Sequence, residues 1–281
     1  MIVFSHIIKN GGTTIVNILR NNFGTKYILL AGHKIHNSQQ YTKIEKRNTS
    51  ILSDIDLINI KDFYDTAHAI SGHSIRPHVK LDWSKLSNTG KVINLIFLRD
   101  PINRFMSSYN HYVNKHKVYD LTIEDYLLKR KNDTQCIWIS NNNSFEKSYN
   151  ILKKSNYFVG LVEDFDRSII LFKNFYEKTF NVSFNGQYEK SNAQKKAFRT
   201  KNSLSKKQIK TLNEFFQEDY KLINKVKHEI YAKQIKDFDE VSSNLNEKQL
   251  NYSFPKLKIE IIKNIQKLKR FVFNKNFKTS K

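Results

Sequence analysis

Short apolar runs alternate with helical periodicities along this chain. Met1–Ile8 reads as a strand, and Thr14–Asn22 as a helix placing Ile15, Ile18, Leu19 and the following Phe23 on one face. Tyr27–Ala31 is a short apolar strand, and Ala67–Ser71 is another that ends in Gly72-His73. Val92–Leu98 (VINLIFL) is unbroken by polar residues except Asn94, as expected of a parallel strand covered on both faces. Pro101 follows at once and suits a first helical position, so a helix is expected from there to about His116. Leu121–Lys129 and Ser144–Lys153 read as helices, Tyr157–Val162 as a strand and Asp166–Phe175 as a helix. Residues 34–62 are polar and stay unassigned. Asn185–Ser203 is polar, basic and loop-like, and Ser205–Tyr231 carries the pattern of one long amphipathic helix or two.

That order predicts an α/β fold, a doubly wound parallel sheet flanked by helices on both faces. In 281 residues without an internal repeat, residues 1–235 form the expected α/β domain. Residues 236–250 read as a polar linker, and 251–281 as a basic amphipathic tail. Ligands of such sheets sit at the carboxyl ends of the strands, at a topological switch point. Both the loop at residues 9–14 and Arg99 fall at that end.

Charge sharpens the picture. The formal net charge of +22 implies an anionic partner, although a composition rich in Lys, Asn and Ile can raise the total without one. Local placement must therefore decide. Cys136 is the sole cysteine, so no internal disulfide forms. No run of 18 apolar residues is present, and the first residues lack a basic, cleavable leader, so a cytoplasmic protein is expected.

The stretch HIIKNGGTTI at residues 6–15 joins a strand to a helix through two glycines. Gly11 and Gly12 allow a ligand close to the backbone, helix N–H groups point outward, and Thr13 and Thr14 add hydroxyls. Lys9 adds a mobile charge. The lysine precedes the glycines, so this is not an ATP-binding G-x4-G-K-[ST] loop, and G-x-G-x-x-G is absent too. A plain strand-to-helix turn with a solvated lysine is the simpler alternative.

The second motif, RDPINRFMSSYNHY, follows the buried strand directly. Asp100 can cap the helix that Pro101 starts, and Ser107 shares a helical face with positions 100, 104 and 111. An arginine fork plus a hydroxyl suits a terminal phosphate. Two other readings are a cap with a surface Arg–Asp pair, and a Mg²⁺-holding aspartate of a P-loop-like kinase using ATP.

Both motifs resemble those of the carbohydrate sulfotransferases around heparan sulfate 2-O-sulfotransferase, the family 2 type. Their H-I-P-K-T-G-G-T-T loop is matched from His6 to Thr14 except at Ile8 and Asn10. Their R-D-P-x-x-R-x-x-S-x-Y pattern is matched at Arg99, Asp100, Pro101, Arg104, Ser107 and Tyr109. The resemblance implies a P-loop-like fold and a PAPS-dependent O-sulfotransferase, where PAPS is 3′-phosphoadenosine 5′-phosphosulfate. It implies that Lys9, Asn10, Gly11, Gly12, Thr13 and Thr14 bind the 5′-phosphosulfate, and Arg99 and Ser107 the 3′-phosphate. It further implies that the basic loop at 188–201 covers the nucleotide, with Lys190, Ser191, Asn192 and Arg199 as candidates. The acceptor would be a carbohydrate hydroxyl, on a polysaccharide or a glycolipid.

Sulfuryl transfer needs in-line alignment, charge stabilisation at the leaving group and a base for the attacking hydroxyl. Lys9 is placed for the second of these. A histidine suits the third, its ordinary pKa being about 6.5. His73 follows a short strand and a glycine, and in the resembling enzymes a Gly-His at this place carries the catalytic histidine. Their second histidine, two residues earlier, is Ser71 here. His68, His33 and Asp65 are the other candidates. The spacings His33–His36 and His68–His73–His78 lack a thiolate or a clear third ligand, so no metal is expected.

The tail from Asn251 to Lys281 carries nine Lys/Arg and one Glu, with Leu257, Ile261, Ile265, Leu268 and Val272 at helical spacing. Such a helix can lie on an anionic membrane face, where a lipid-linked sugar would be the natural acceptor, or pack on the domain. A basic nucleic-acid-binding protein is the non-catalytic alternative, but no nucleic-acid-reading motif is present, and no such partner is expected.

Overall fold

A computed structural model describes residues 1–30, 67–129, 135–188 and 199–239. Five strands make one sheet: β1 Ile2–Ser5, β2 Tyr27–Leu30, β3 Ala69–Gly72, β4 Ile93–Leu98 and β5 Tyr157–Leu161. Their order is β2-β3-β1-β4-β5, and every neighbouring pair is parallel. β1 is central, with Ser5 opposite Gly72 on one side and Ile96 on the other. The chain fills the β3 side of β1 first, then crosses to β4 and β5, which opens the crevice at the carboxyl end of β1.

Side chains of a strand alternate between faces, and β1 shows why its sequence is uniformly apolar. Ile2 and Phe4 join one buried cluster with Ile15, Leu19 and Phe97. Met1 and Val3 join a second cluster on the other face with Ile28, Ile70 and Trp83. The predicted strand to Ile8 stops earlier, at Ser5, because the chain turns: the Ile7 N–H donates to Ser5 O, and the Asn10 N–H to Ile7 O.

Among the described residues the helices are α1 Gly12–Phe23, α2 Pro101–His116, α3 Ile123–Lys129, α4 Gln135–Ser140, α5 Phe145–Leu152, α6 Phe165–Phe180, α7 Lys206–Phe215, α8 Gln217–Lys225 and α9 Ala232–Phe238. α2 spans the predicted interval. Asp100 caps it through the Asn103 N–H at 2.8 Å, and Pro101 occupies its first position. α6 runs one turn beyond its predicted end and stops at Asn181, in the left-handed region at φ 53. Of the two readings of Ser205–Tyr231, one long helix or two, the structure has the second, with the division at Phe216. The chain resumes as α8, passes through a π-helical turn at Val226–Tyr231 and continues as α9.

α9 pairs with the sheet through one side chain. The Gln234 amide accepts from Val159 N and donates to Val159 O, both at 3.0 Å, covering backbone groups that edge strand β5 leaves open. α9 also enters the stretch read as a linker from residue 236. The tail at 251–281 lies outside the described residues, as do His33, His36, Asp65, Lys190, Ser191 and Asn192.

Candidate active site

The loop after β1 has the backbone of an anion site. Lys9 and Gly11 both have positive φ, 69° and 73°, while Asn10 between them does not. Alternating handedness of this kind turns successive N–H groups toward one concavity. Gly11 is the residue before α1, and the N–H groups of Gly11, Gly12 and Thr13 have no acceptor among the described residues. These are the orphan donors of a helix start. Both glycines are needed. A Cβ on Gly11 would have to form at positive φ and lie 3.1 Å from the Phe165 ring, and one on Gly12 would lie 1.7 Å from His6 Nε2.

Asn10 was expected among the ligand contacts, and its side chain is instead turned into the fold. It is 1% exposed, and its Nδ2 donates to Phe97 O at 2.7 Å and to Gln135 Oε1 at 2.8 Å. Thr14 is buried and Thr13 is exposed at the mouth of the loop.

Arg99 leaves the end of β4 and bends back over this loop, its guanidinium donating to Lys9 O at 3.0 Å. Its Nε lies 4.0 Å from Glu163, a weak pairing. Burial, and then the Arg99 charge, hold the Lys9 ammonium below its usual pKa. Burial also lowers Arg99, against the pull of Glu163 and Asp100. Two half-desolvated cations close enough to repel, beside three N–H groups without an acceptor among the described residues, suit an oxyanion of more than one charge. Ser107 lies two turns into α2 and is half-buried.

His73 enters from the other side of β1, directly after β3. Its Nδ1 lies 2.8 Å from His6 O. A carbonyl can only accept, so Nδ1 carries the proton and Nε2 keeps its lone pair. The His73 ring lies 4.1 Å from the His6 ring, centroid to centroid, and edge-on to Trp138 at 6.1 Å. Burial lowers the His73 pKa, opposed by the bond to His6 O and assisted by Arg76. His68 lies at the opposite end of β3, where its N–H donates to Lys26 O, so it is away from the crevice and from His73.

Helix α4, which the sequence pattern did not reveal, joins the two motifs from behind. Gln135 is fully buried; its Oε1 accepts from Asn10 Nδ2 and from Arg99 N at 3.0 Å, and its Nε2 donates to Arg99 O at 2.8 Å. Buried Asp219 caps α4 by accepting from Gln135 N and Cys136 N. Trp138 supplies the wall beside His73 and is stacked by the Arg76 guanidinium at 3.3 Å. The only advance signal was the apolar run around QCIWIS, too short for a periodicity.

The segment expected to cover a nucleotide is described at its two flanks. Tyr188 packs edge-on against Phe165, the residue that walls Gly11, and its hydroxyl bonds Asp166. Arg199 is pinned to α2 by its backbone: its N–H donates to Asn110 Oδ1 at 3.0 Å, and its carbonyl accepts from Asn110 Nδ2 at 2.7 Å. Asp100, the metal ligand of the kinase reading, is spent elsewhere. One oxygen caps α2, and the other faces Lys201 Nζ at 3.5 Å and the Tyr220 hydroxyl at 3.4 Å.

The model of the sulfotransferase family matches residues 1–158, which contain both loops, His73 and all but one of the strands in full. The chain belongs to the sulfotransferase family. Its activity is therefore sulfuryl transfer, of the EC 2.8.2 type, and family membership implies PAPS as donor. A sulfotransferase of known structure from Alicyclobacillus acidocaldarius is similar at 12% identity, over 81% of this chain and 95% of that one, with a TM-score of 0.44. A search of curated proteins gives no match. The residues present fit such a donor. The N–H groups of Gly11 to Thr13 have no acceptor among the described residues, the cations Lys9 and Arg99 lie beside them, and the close approach of the Phe165 and His6 side chains admits only glycine at positions 11 and 12. Among the described residues of this sulfotransferase, no helix is long and apolar enough to cross a membrane.

Proposed function

We propose that this sulfotransferase moves the sulfuryl group of PAPS to a carbohydrate hydroxyl, with His73 as general base and Lys9 stabilising the leaving group. The observation that carries the reading is the bond from His73 Nδ1 to His6 O, made beside the glycine loop. It leaves Nε2 as an acceptor in a ring that burial keeps neutral near pH 7. Nε2 would take the proton of the acceptor hydroxyl.

When bound, PAPS supplies a sulfuryl group already activated on a phosphate. The N–H groups of Gly11, Gly12 and Thr13, with the Thr13 and Thr14 hydroxyls, would hold the 5′-phosphosulfate, and Asn10 would fix the loop rather than touch the ligand. Lys9 would neutralise charge growing on the departing phosphate oxygen. Arg99 and Ser107 would bind the 3′-phosphate, with Lys190, Asn192 and Arg199 closing over the nucleotide. Polysaccharide and glycolipid acceptors are the two classes to test. The basic tail suits an anionic membrane face, where a lipid-linked sugar would be presented.

Incubation with ³⁵S-labelled PAPS and a panel of neutral, acidic and lipid-linked saccharides tests this. Label should enter a carbohydrate fraction, and His73→Ala should abolish the transfer. Near-normal transfer by His73→Ala would remove the base from the proposal. Label entering only non-carbohydrate acceptors would remove the carbohydrate.

A further inference from the structure

We infer that His6 is a positioning residue: its ring is a neutral spacer that sets His73 against the glycine loop. This rests on the reading of His73 as the base. Three contacts meet in this one residue. Its carbonyl accepts from His73 Nδ1 at 2.8 Å, fixing which nitrogen of the base is bare. Its ring packs against the His73 ring with centroids 4.1 Å apart and planes inclined by 33°. Its Nε2 occupies the space beside Gly12 that any Cβ there would enter. The imidazole is thus sandwiched between the proton acceptor and the first turn of α1, and its thickness sets their separation. A misplacement of about 1 Å in such a pair can cost on the order of 10²-fold in rate.

The spacer also has to stay uncharged. Burial, followed by the charges of His73 and Lys9, pushes the His6 pKa down to about 3. A proton entering this pair therefore goes to His73, and the ring beneath it remains a neutral aromatic face. The groups facing the pair are Lys9 from the glycine loop, Arg76 from the loop carrying His73, and uncharged Trp138 from α4. Removing the His6 ring exposes one face of His73 to water. That weakens the burial which lowers its pKa and frees it to turn.

The test reads His73 directly, by long-range ¹H–¹⁵N NMR of histidine-labelled full-length protein titrated from pH 4.5 to 8.5. In the unsubstituted protein, His73 should titrate below 6.5 and carry its proton on Nδ1. His6→Ala should raise the midpoint toward 6.5 and bring in the Nε2–H tautomer. His6→Phe, which differs from His6→Ala in keeping a flat neutral ring while both keep the backbone carbonyl, should hold His73 in place and so retain the lowered midpoint and the Nδ1–H form. An unchanged midpoint and tautomer in His6→Ala would overturn the inference. So would a midpoint in His6→Phe raised to 6.5, and that second variant decides the matter if His6→Ala does not fold. None of these outcomes depends on turnover. The base reading stands or falls separately, on transfer by His73→Ala.

Discussion

Asn10 and Gln135 are joined by a 2.8 Å hydrogen bond between fully enclosed amides, across 125 residues of sequence. Gln135 also holds both backbone groups of Arg99, so one side chain fastens the glycine loop to the arginine that bends over it. The two halves of the proposed donor site are set by this buried joint, not by contact with solvent.

Breaking the joint should cost stability as well as binding. Asn10→Ala would remove the side-chain donor to Phe97 O and leave Gln135 Oε1 with the Arg99 N–H alone, and a buried polar group left without its partner costs about 1–3 kcal/mol. A melting temperature lower by several degrees, measured by circular dichroism, is the expected result. An unchanged melting temperature would show that the joint carries no net energy.

The second expectation concerns Gly12. In Gly12→Ala the new methyl would share space with His6 Nε2, and the contact at 1.7 Å can be relieved only by moving the ring that supports His73. Binding of adenosine 3′,5′-bisphosphate should fall more than tenfold, and transfer further still. Gly24→Ala provides a contrast: the same methyl would meet nothing within 4 Å, so only the strain of φ +53 is felt and binding should be kept.

How far the sequence foretold this site depends on the range of the interactions. Lys9, Gly11, Gly12, His73 and Arg99 were legible because each sits at the end of an apolar strand, and parallel strands deliver their carboxyl ends to one edge. α2 was legible to the residue from Asp100-Pro101. Gln135, Trp138 and Asp219 were not, since their roles come from packing between segments far apart in the chain, which no local periodicity encodes. The same reason hid the inward turn of Asn10. Its neighbours in sequence suggest a ligand, while its partners lie at Phe97 and Gln135. Whether Ser205–Tyr231 is one helix or two stayed open in the sequence because the apolar stripe continues across the break at Phe216.

Acid should weaken the fold in a defined window. His6 and His73 are both held neutral when folded, His6 down to about 3 and His73 below its ordinary value. An unfolded chain would bind protons on both below about pH 6.5. Their stabilising share is therefore whole above 6.5 and is lost as pH falls toward 3. Thermal melts at pH 7.5 and 4.5 should show the drop, and His6→Phe should make it smaller.

The kinetic consequences separate the two cations from the base. Transfer should rise with pH and level off above the lowered pKa of His73, because only its neutral form accepts a proton. Lys9→Ala should lower kcat on the order of 10²–10³-fold, as loss of a charge-stabilising donor does elsewhere. Arg99→Ala should act mainly on KM for the donor. A pH profile unaltered in Lys9→Ala, with reduced height, would agree with this division of roles.

The most direct measurement is a calorimetric titration of the full chain with adenosine 3′,5′-bisphosphate, set against ATP with Mg²⁺ and against AMP. The account predicts that the bisphosphate binds best, needs no metal, and loses at least tenfold in affinity in Arg99→Ala. Preference for ATP with Mg²⁺, or bisphosphate binding indifferent to Arg99→Ala, would contradict it.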